Sequence, residues 1–318
     1  MRRALVALIG AATVVAAASH AWGFTRETTD EGIPVYWTTS CVTTTVYLNG
    51  FSSMTPDEVA KSIGAAAHAW SPSEVTCPGA DGGVASHPYF EIVPGMAAVD
   101  ATAPAIADDA RNVVVFRPVG WDDDTHPLEA LALTSLTKKK DGRILDADME
   151  INATDYTWAN LDPGSPQAAT GNGQTPPMDL QNATTHEFGH FIGLNHTCQG
   201  AADPVQLIDN NGQPVPDCNS APPDVQATVM FPNINHGEVS KRVLSPDDID
   251  AVCTVYPAAQ DPHSCSLDLP DDGCGCAVGR RDPARSADGL VGLALGVGLA
   301  IRRGRGRRAG RARTSRRG

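Results

Sequence analysis

The sequence predicts a mixed α+β domain over about residues 25–260, and three observations carry that reading. Runs rich in β-branched and aromatic residues come first, helices marked by capping residues are scattered unevenly among them, and no segment repeats another. At 318 residues, 42% hydrophobic and 19% charged, the chain can bury a substantial core, and wholesale disorder is excluded. Residues 33–37 and 42–48 read as the first strands. Thr55-Pro56-Asp57-Glu58 then opens a helix: Thr55 is the N-cap, Pro56 takes the first helical position, Glu58 completes a capping box, and an alanine-rich run continues to about Trp70. Strands follow at 90–93 and 112–116, then at 130–136 and 144–152, the last two separated by the turn-like Lys138-Lys139-Lys140-Asp141-Gly142. A loop rich in proline, glycine and asparagine at 160–177 precedes a helix over about 180–194, with Asp179 as N-cap. Residues 199–227 lack periodicity and read as a long loop with a tight turn at Asn211-Gly212. A last helix starts at the capping box Ser245-Pro246-Asp247-Asp248 and stops before Pro257.

The two ends differ from this body. Arg2 and Arg3, an apolar run over 4–18 and Ser19-His20-Ala21 form the pattern of a secretory signal peptide, so residues 1–21 are expected to be removed. At the other end, a linker over 261–288 carries Cys274-Gly275-Cys276, and a short apolar segment at 289–301 is followed by an arginine-rich tail at 302–318. The apolar segment is shorter than the roughly 17–25 residues that span a bilayer, yet its place directly before arginines suits a membrane stop better than a nucleic-acid-binding tail. This end resembles the myxobacterial-type C-terminal sorting signal, which implies processing near the cysteines and display at the cell surface or release.

The chain's formal charge of −13 conceals this arrangement. Residues 22–276 keep ten basic and 35 acidic residues, a charge of about −25. Nucleic acid and anionic membrane surfaces are therefore poor partners for the exported body, the membrane is met only through the C-terminal segment, and calcium or cationic peptides fit better. Two of the eight cysteines belong to the Cys-Gly-Cys element, which leaves Cys41, Cys77, Cys198, Cys218, Cys253 and Cys265. An even number in an exported chain predicts disulfides. Fifteen pairings are open, and proximity in sequence favours Cys41 with Cys77, Cys198 with Cys218 and Cys253 with Cys265.

The chemistry concentrates in His186-Glu187-Phe188-Gly189-His190-Phe191-Ile192-Gly193-Leu194-Asn195-His196. On a helix His186 and His190 stand one turn apart on one face, where two imidazoles can share a metal ion, and Glu187 lies beside that face. Gly193 can take the left-handed conformation that ends the helix, which brings His196 round as a third ligand. Three neutral histidines leave a coordination position open, as a catalytic zinc site requires.

This segment matches the HExxHxxGxxH signature of the metzincin metallopeptidases, and Thr228-Val229-Met230-Phe231-Pro232 resembles the Met-turn expected downstream. Within that clan the chain resembles the matrixins: Thr197 stands after the third histidine, Pro232 follows the Met-turn, Leu244-Ser245-Pro246-Asp247-Asp248-Ile249 is similar to the start of their last helix, and 55–70 to their first. The resemblance covers about 30–257. It implies a twisted mixed sheet with an antiparallel edge strand, an active-site helix, a Met-turn and a C-terminal helix, all in one metallopeptidase domain over 22–260. It also implies a zinc-dependent endopeptidase, expected as a monomer, in which His186, His190 and His196 hold one zinc and Met230 supports the site. Glu187 would be the general base toward a zinc-activated water. Protein or peptide substrates would pair with the 130–136 strand, and Phe231, Pro232 and Asn233 are the candidate wall of the pocket beyond the cut.

The chain also departs from the matrixin pattern. The 199–227 loop is longer than expected and would lie near the primed side of the cleft. No cysteine-switch motif precedes the body, the residue pattern of a second, structural zinc is absent, and no tyrosine stands two residues after Met230. Asp146, Asp148, Glu150 and Asn152 alternate with apolar residues; calcium binding is one reading of this row, and a solvated strand face is favoured over it. Asp122-Asp123-Asp124 is read the same way. Asp247 or Asp248 is read as capping the last helix or also bonding the Met-turn backbone, with the cap favoured, and the remaining histidines of the body, His68, His87, His126, His236 and His263, are expected to be structural or exposed. The alternative function is a non-catalytic surface module that binds peptide or calcium, whose mark would be loss of Glu187 or of a histidine. A zinc amidase ranks third.

Overall fold

The computed structural model of the chain describes residues 23–49, 53–79, 83–121, 126–164, 175–201 and 205–265. The signal-peptide pattern, the Asp122-Asp123-Asp124 run and everything from the Cys-Gly-Cys element onward lie outside the described residues. In chain order the elements are β1 (Thr25–Arg26), β2 (Cys41–Val46), α1 (Pro56–His68), β3 (Glu91–Met96), β4 (Val113–Arg117), β5 (Ala132–Lys138), β6 (Ile144–Asn152), β7 (Trp158–Ala159), β8 (Met178–Asp179), α2 (Leu180–Phe191), β9 (Leu194–Asn195), α3 (Pro223–Gln226) and α4 (Pro246–Val255). Five strands form one mixed sheet in the order β3-β2-β4-β6-β5. All neighbours are parallel except β5, which runs antiparallel to β6 and forms one edge. The expected mixed α+β fold with an antiparallel edge strand is what the chain adopts.

One face of the sheet packs on α1 and α2. Val46, Val114, Ala147, Met149 and Ile151 from the strands meet Val59, Ile63, Ala66, Ala183 and Phe188 from the helices in one buried cluster. Alternation along β6 sends Ala147, Met149 and Ile151 into this core. The opposite face of β6 is not the solvated one expected from sequence. Asp146, Asp148, Glu150 and Asn152 are all buried, and strand β4 with the loop residues Ala107 and His126 supplies partners to Asp148 and Glu150. Asp148 accepts from the Val113 amide at 3.0 Å, Glu150 from Arg117 Nε at 2.6 Å, and Asn152 Nδ2 donates to Ala130 O. Burial and the neighbouring Asp146 push Asp148 up to about 6.

Residues 33–37 do not form the expected strand. Pro34 has no amide to donate, and the segment makes only isolated bridges, Thr28 with Pro34 and Tyr36 with Arg143. Its Trp37 indole instead donates to Phe191 O at 2.8 Å, tying it to the end of α2. Both capping boxes form as read, at Thr55/Glu58 and Ser245/Asp248.

The cysteines pair as Cys41–Cys265, Cys77–Cys253 and Cys198–Cys218. Proximity in sequence selects the third pair correctly and misassigns the other two. Cys253 lies in α4, which packs back against the segment after α1 where Cys77 stands, and residue 265 runs beside the start of β2, where the Ser40 amide donates to Ser264 O. Three disulfides fit an oxidising, extracellular setting. Among the described residues no helix is long and apolar enough to cross a membrane.

Candidate metal centre

Helix α2 is a poor helix by composition, with Thr184, Thr185 and Gly189 among its twelve residues. Packing sustains it: ten of those residues are buried. Its first turn is held by Asp179, fully buried, whose Oδ1 accepts from the Asn182 amide at 2.8 Å. Arg242 Nε donates to the same oxygen at 2.7 Å, so the capping carboxylate is paired. Inside the helix, Thr184 and Thr185 hydroxyls bond back to Leu180 O and Gln181 O, and the Trp70 indole donates to Thr185 O.

The helix stops at Phe191 rather than continuing to Leu194. Gly193 adopts φ 89°, and its amide returns to His190 O at 2.8 Å. A Cβ there would lie 2.7 Å from Val35 O, so both the turn and the close approach require glycine. The chain then reverses into β9, which pairs with β1, and Thr25 Oγ1 donates to His196 O at 2.6 Å. The N-terminal segment thus places the third histidine.

The three imidazoles converge. His190 Nε2 lies 3.1 Å from His186 Nε2 and 3.1 Å from His196 Nε2. Ligand nitrogens about 2.0–2.1 Å from a tetrahedral zinc stand roughly 3.3 Å apart, so the spacing fits such an ion. His186 Nδ1 faces Val229 O at 2.7 Å and His190 Nδ1 faces Leu194 O at 3.0 Å. A carbonyl at Nδ1 places the ring proton there and leaves the Nε2 lone pair toward the centre. Burial and the neighbouring histidines push His186 well below the ordinary histidine range, and burial, then His190 and Lys241, bring His196 down to about 3. Neutral rings are the form that binds a metal. Among the described residues, these three histidines make up the group of His, Cys, Asp and Glu side chains close enough together to hold an ion.

Glu187 is buried beside the triad, and burial raises its pKa. Its Oε2 accepts from Thr134 Oγ1 at 2.6 Å. Met230 lies beneath: a Cβ on Gly189 would come within 2.1 Å of its sulfur, so the thioether occupies the space that glycine leaves on α2. Asp248 holds this turn from α4, its oxygens accepting from the amides of Val229 at 2.9 Å and Met230 at 3.3 Å. The same carboxylate accepts from the Ser245 amide, so Asp248 both caps α4 and carries the turn.

A cleft of about 890 Å³ runs over the triad. Edge strand β5 forms one wall through Ala132, Thr134, Leu136 and Lys138, and Pro232, Asn233, Ile234 and His236 form the other. Pro232 and Asn233 thus stand where sequence placed a pocket wall, whereas Phe231 turns away into a small cluster with Cys198, Ala221 and Val225. No described residue of 199–227 lines the cleft. That loop is stapled by Cys198–Cys218 and packs on the N-terminal segment, the Asn210 amide donating to Phe24 O. Sequence reasoning gave no role at the site to three of its neighbours: Thr134, Lys241 and His236, the last expected to be structural or exposed. Thr134 was detectable as a polar residue on the face of β5 that otherwise carries Ala132 and Leu136. His236 and Lys241 lie outside any periodic segment, and only the folded chain brings them near. Lys241 is buried, donates to Thr228 O at 2.9 Å and lies 5.3 Å from the Phe231 ring centroid.

No family model and no curated protein matches the chain. Among solved structures, one described as the structure of myroilysin is 16% identical, with 70% of this chain and 83% of that one covered and a TM-score of 0.32. A second, described as the crystal structure of myroilysin, is 15% identical, with 70% and 86% covered and a TM-score of 0.32. Likeness this slight does not bear on the chemistry, which rests on the residues themselves.

The first turn of α4 carries a second feature of the electrostatics. Burial, then Asp248, Asp250 and Asp209, push Asp247 up to about 7 from an ordinary 3.8. A carboxyl whose folded pKa is raised favours the folded state at low pH, and that contribution is lost as pH rises from about 4 to about 7. Asp247→Asn keeps an oxygen for the Phe24 backbone and removes the charge. Relative to the parent, it is expected to gain about 2 kcal/mol at about pH 8 after allowance for solvent screening, and nothing near pH 4. Denaturant melts of both proteins at the two pH values check this.

Proposed function

We propose that the protein is a secreted or surface-displayed zinc-dependent endopeptidase of the matrixin type. The observation that carries this reading is the convergence of three Nε2 atoms beside the Glu187 carboxylate on the floor of an open cleft. His186, His190 and His196 would hold the ion. When bound there, zinc supplies Lewis acidity that polarises a carbonyl and makes water more acidic.

The remaining work falls to the chain's own groups. Strand β5 is the edge of the sheet among the described residues, and an extended peptide pairing with it lies across the triad. The facing wall at Pro232 and Asn233 confines the residue after the cut. Glu187 takes the proton of the attacking water and passes it to the departing amine nitrogen, and its raised pKa suits a group that must both accept and return a proton. Met230 and Asp248 keep the floor of the site in place, and the Val229 and Leu194 carbonyls orient two of the imidazoles. The signal-peptide pattern and the C-terminal apolar and arginine segments support export followed by surface display or release.

The reading is tested with the oxidatively folded chain and a broad quenched-peptide library. Cleavage is expected to stop with a chelator and to return on addition of zinc. A protein that takes up zinc and cuts no member of the library would favour the peptide-binding module instead.

A further inference from the structure

We infer that Thr134, on the substrate-pairing edge strand, is a positioning residue that holds the Glu187 carboxylate in its working orientation. The inference rests on the endopeptidase reading and adds a component to it. Thr134 Oγ1 lies 2.6 Å from Glu187 Oε2 and 3.3 Å from Glu187 O, so one hydroxyl spans the side chain and the backbone of the same residue. A hydroxyl has a single proton, and at these distances it goes to the carboxylate, while the backbone contact keeps the rotor in place. This bond is charge-assisted and part-buried, which makes it one of the stronger kinds.

The location matters as much as the bond. Position 134 lies in the middle of β5, opposite Met149 of β6, on the face that packs toward α2. The neighbours on that face, Ala132 and Leu136, are apolar, so a hydroxyl among them meets no general need of the core. With Oε2 engaged, Oε1 is the oxygen left to receive a proton from water and to return it to the leaving nitrogen. The hydroxyl proton stays on Thr134 throughout. Because the backbone of the same residue belongs to the edge with which a substrate pairs, seating a peptide on β5 and fixing the base become one event.

Two variants test this, both in the zinc-loaded full chain. Thr134→Val keeps the shape and removes the hydroxyl; Thr134→Ser keeps the hydroxyl and removes the methyl. Zinc content and thermal midpoint are measured first, then kcat and KM on a cleaved peptide. Last comes the affinity for a peptide hydroxamate, whose hydroxyl donates to the base carboxylate without turnover. Thr134→Val is expected to hold zinc like the parent, with KM changed less than about twofold, kcat lower by about ten- to a hundredfold and hydroxamate affinity weaker by about tenfold. Thr134→Ser should restore both to within about threefold. Parental kcat and hydroxamate affinity in Thr134→Val, or a Thr134→Ser protein as impaired as Thr134→Val, would overturn the inference. Failure of the endopeptidase reading shows separately, as a parent that cuts nothing, and hydroxamate binding then decides whether Thr134 acts on Glu187.

Discussion

Replacing both Cys77 and Cys253 with serine is expected to cost roughly 4 kcal/mol of folding stability, enough to leave much of the population unfolded at 37 °C. The bond closes a sequence separation of 176 residues, but Cys41–Cys265 encloses it and already restrains the unfolded chain. The chain entropy released is therefore that of a shorter effective loop, and the estimate is set accordingly. The consequence reaches the metal centre. Cys253 belongs to α4, and α4 carries Asp248, which holds the amides of Val229 and Met230. Val229 O in turn orients His186. Loss of the bond is thus expected to lower metal affinity as well as the denaturation midpoint. Replacing Cys198 and Cys218 should be milder, because their loop spans a separation of 20 residues and lies away from the cleft. Urea unfolding of the two double variants, with zinc titration of each, measures the contrast.

The largest expected effect on activity comes from Glu187→Gln. The amide has the shape of the carboxylate, and its oxygen can still accept from Thr134, so the fold and the zinc content should remain those of the parent. It cannot take a proton from water. Cleavage is expected to fall by about a thousandfold, within the range for a positioned acid-base group. KM should change little, because Glu187 lies below the edge strand and not among the groups that pair with peptide. A Glu187→Gln protein that cuts as fast as the parent would show that the base has been misassigned.

Much of this arrangement is legible in the sequence because it rests on local rules. The capping boxes at Thr55 and Ser245, the buried cap at Asp179 and the turn at Gly193 each follow from a few adjacent residues and the geometry they allow. The spacing of His186, His190 and His196 is local too, since a single helix and one reversal bring them together. Long-range packing is what sequence does not display. The acidic row on β6 looks solvated until β4 and the loop residues Ala107 and His126 are brought beside Asp148 and Glu150. Two disulfides depend on α4 returning to the first half of the chain, which proximity in sequence cannot indicate. Phe231 and Thr134 show the same limit at the site itself: one leaves the cleft for a separate cluster, and the other enters it from a different element.

The central claim is that three histidines hold a metal ion on which peptide cleavage depends. The most direct test is the metal content of the purified full chain, measured by mass spectrometry under native conditions and followed through chelation and reconstitution while peptide cleavage is recorded in parallel. The account predicts one zinc per chain, lost together with cleavage and regained with it, and no zinc at parental affinity when His196 is replaced by alanine. A chain that binds no zinc, or one that cleaves equally well after complete removal of metal, would contradict it.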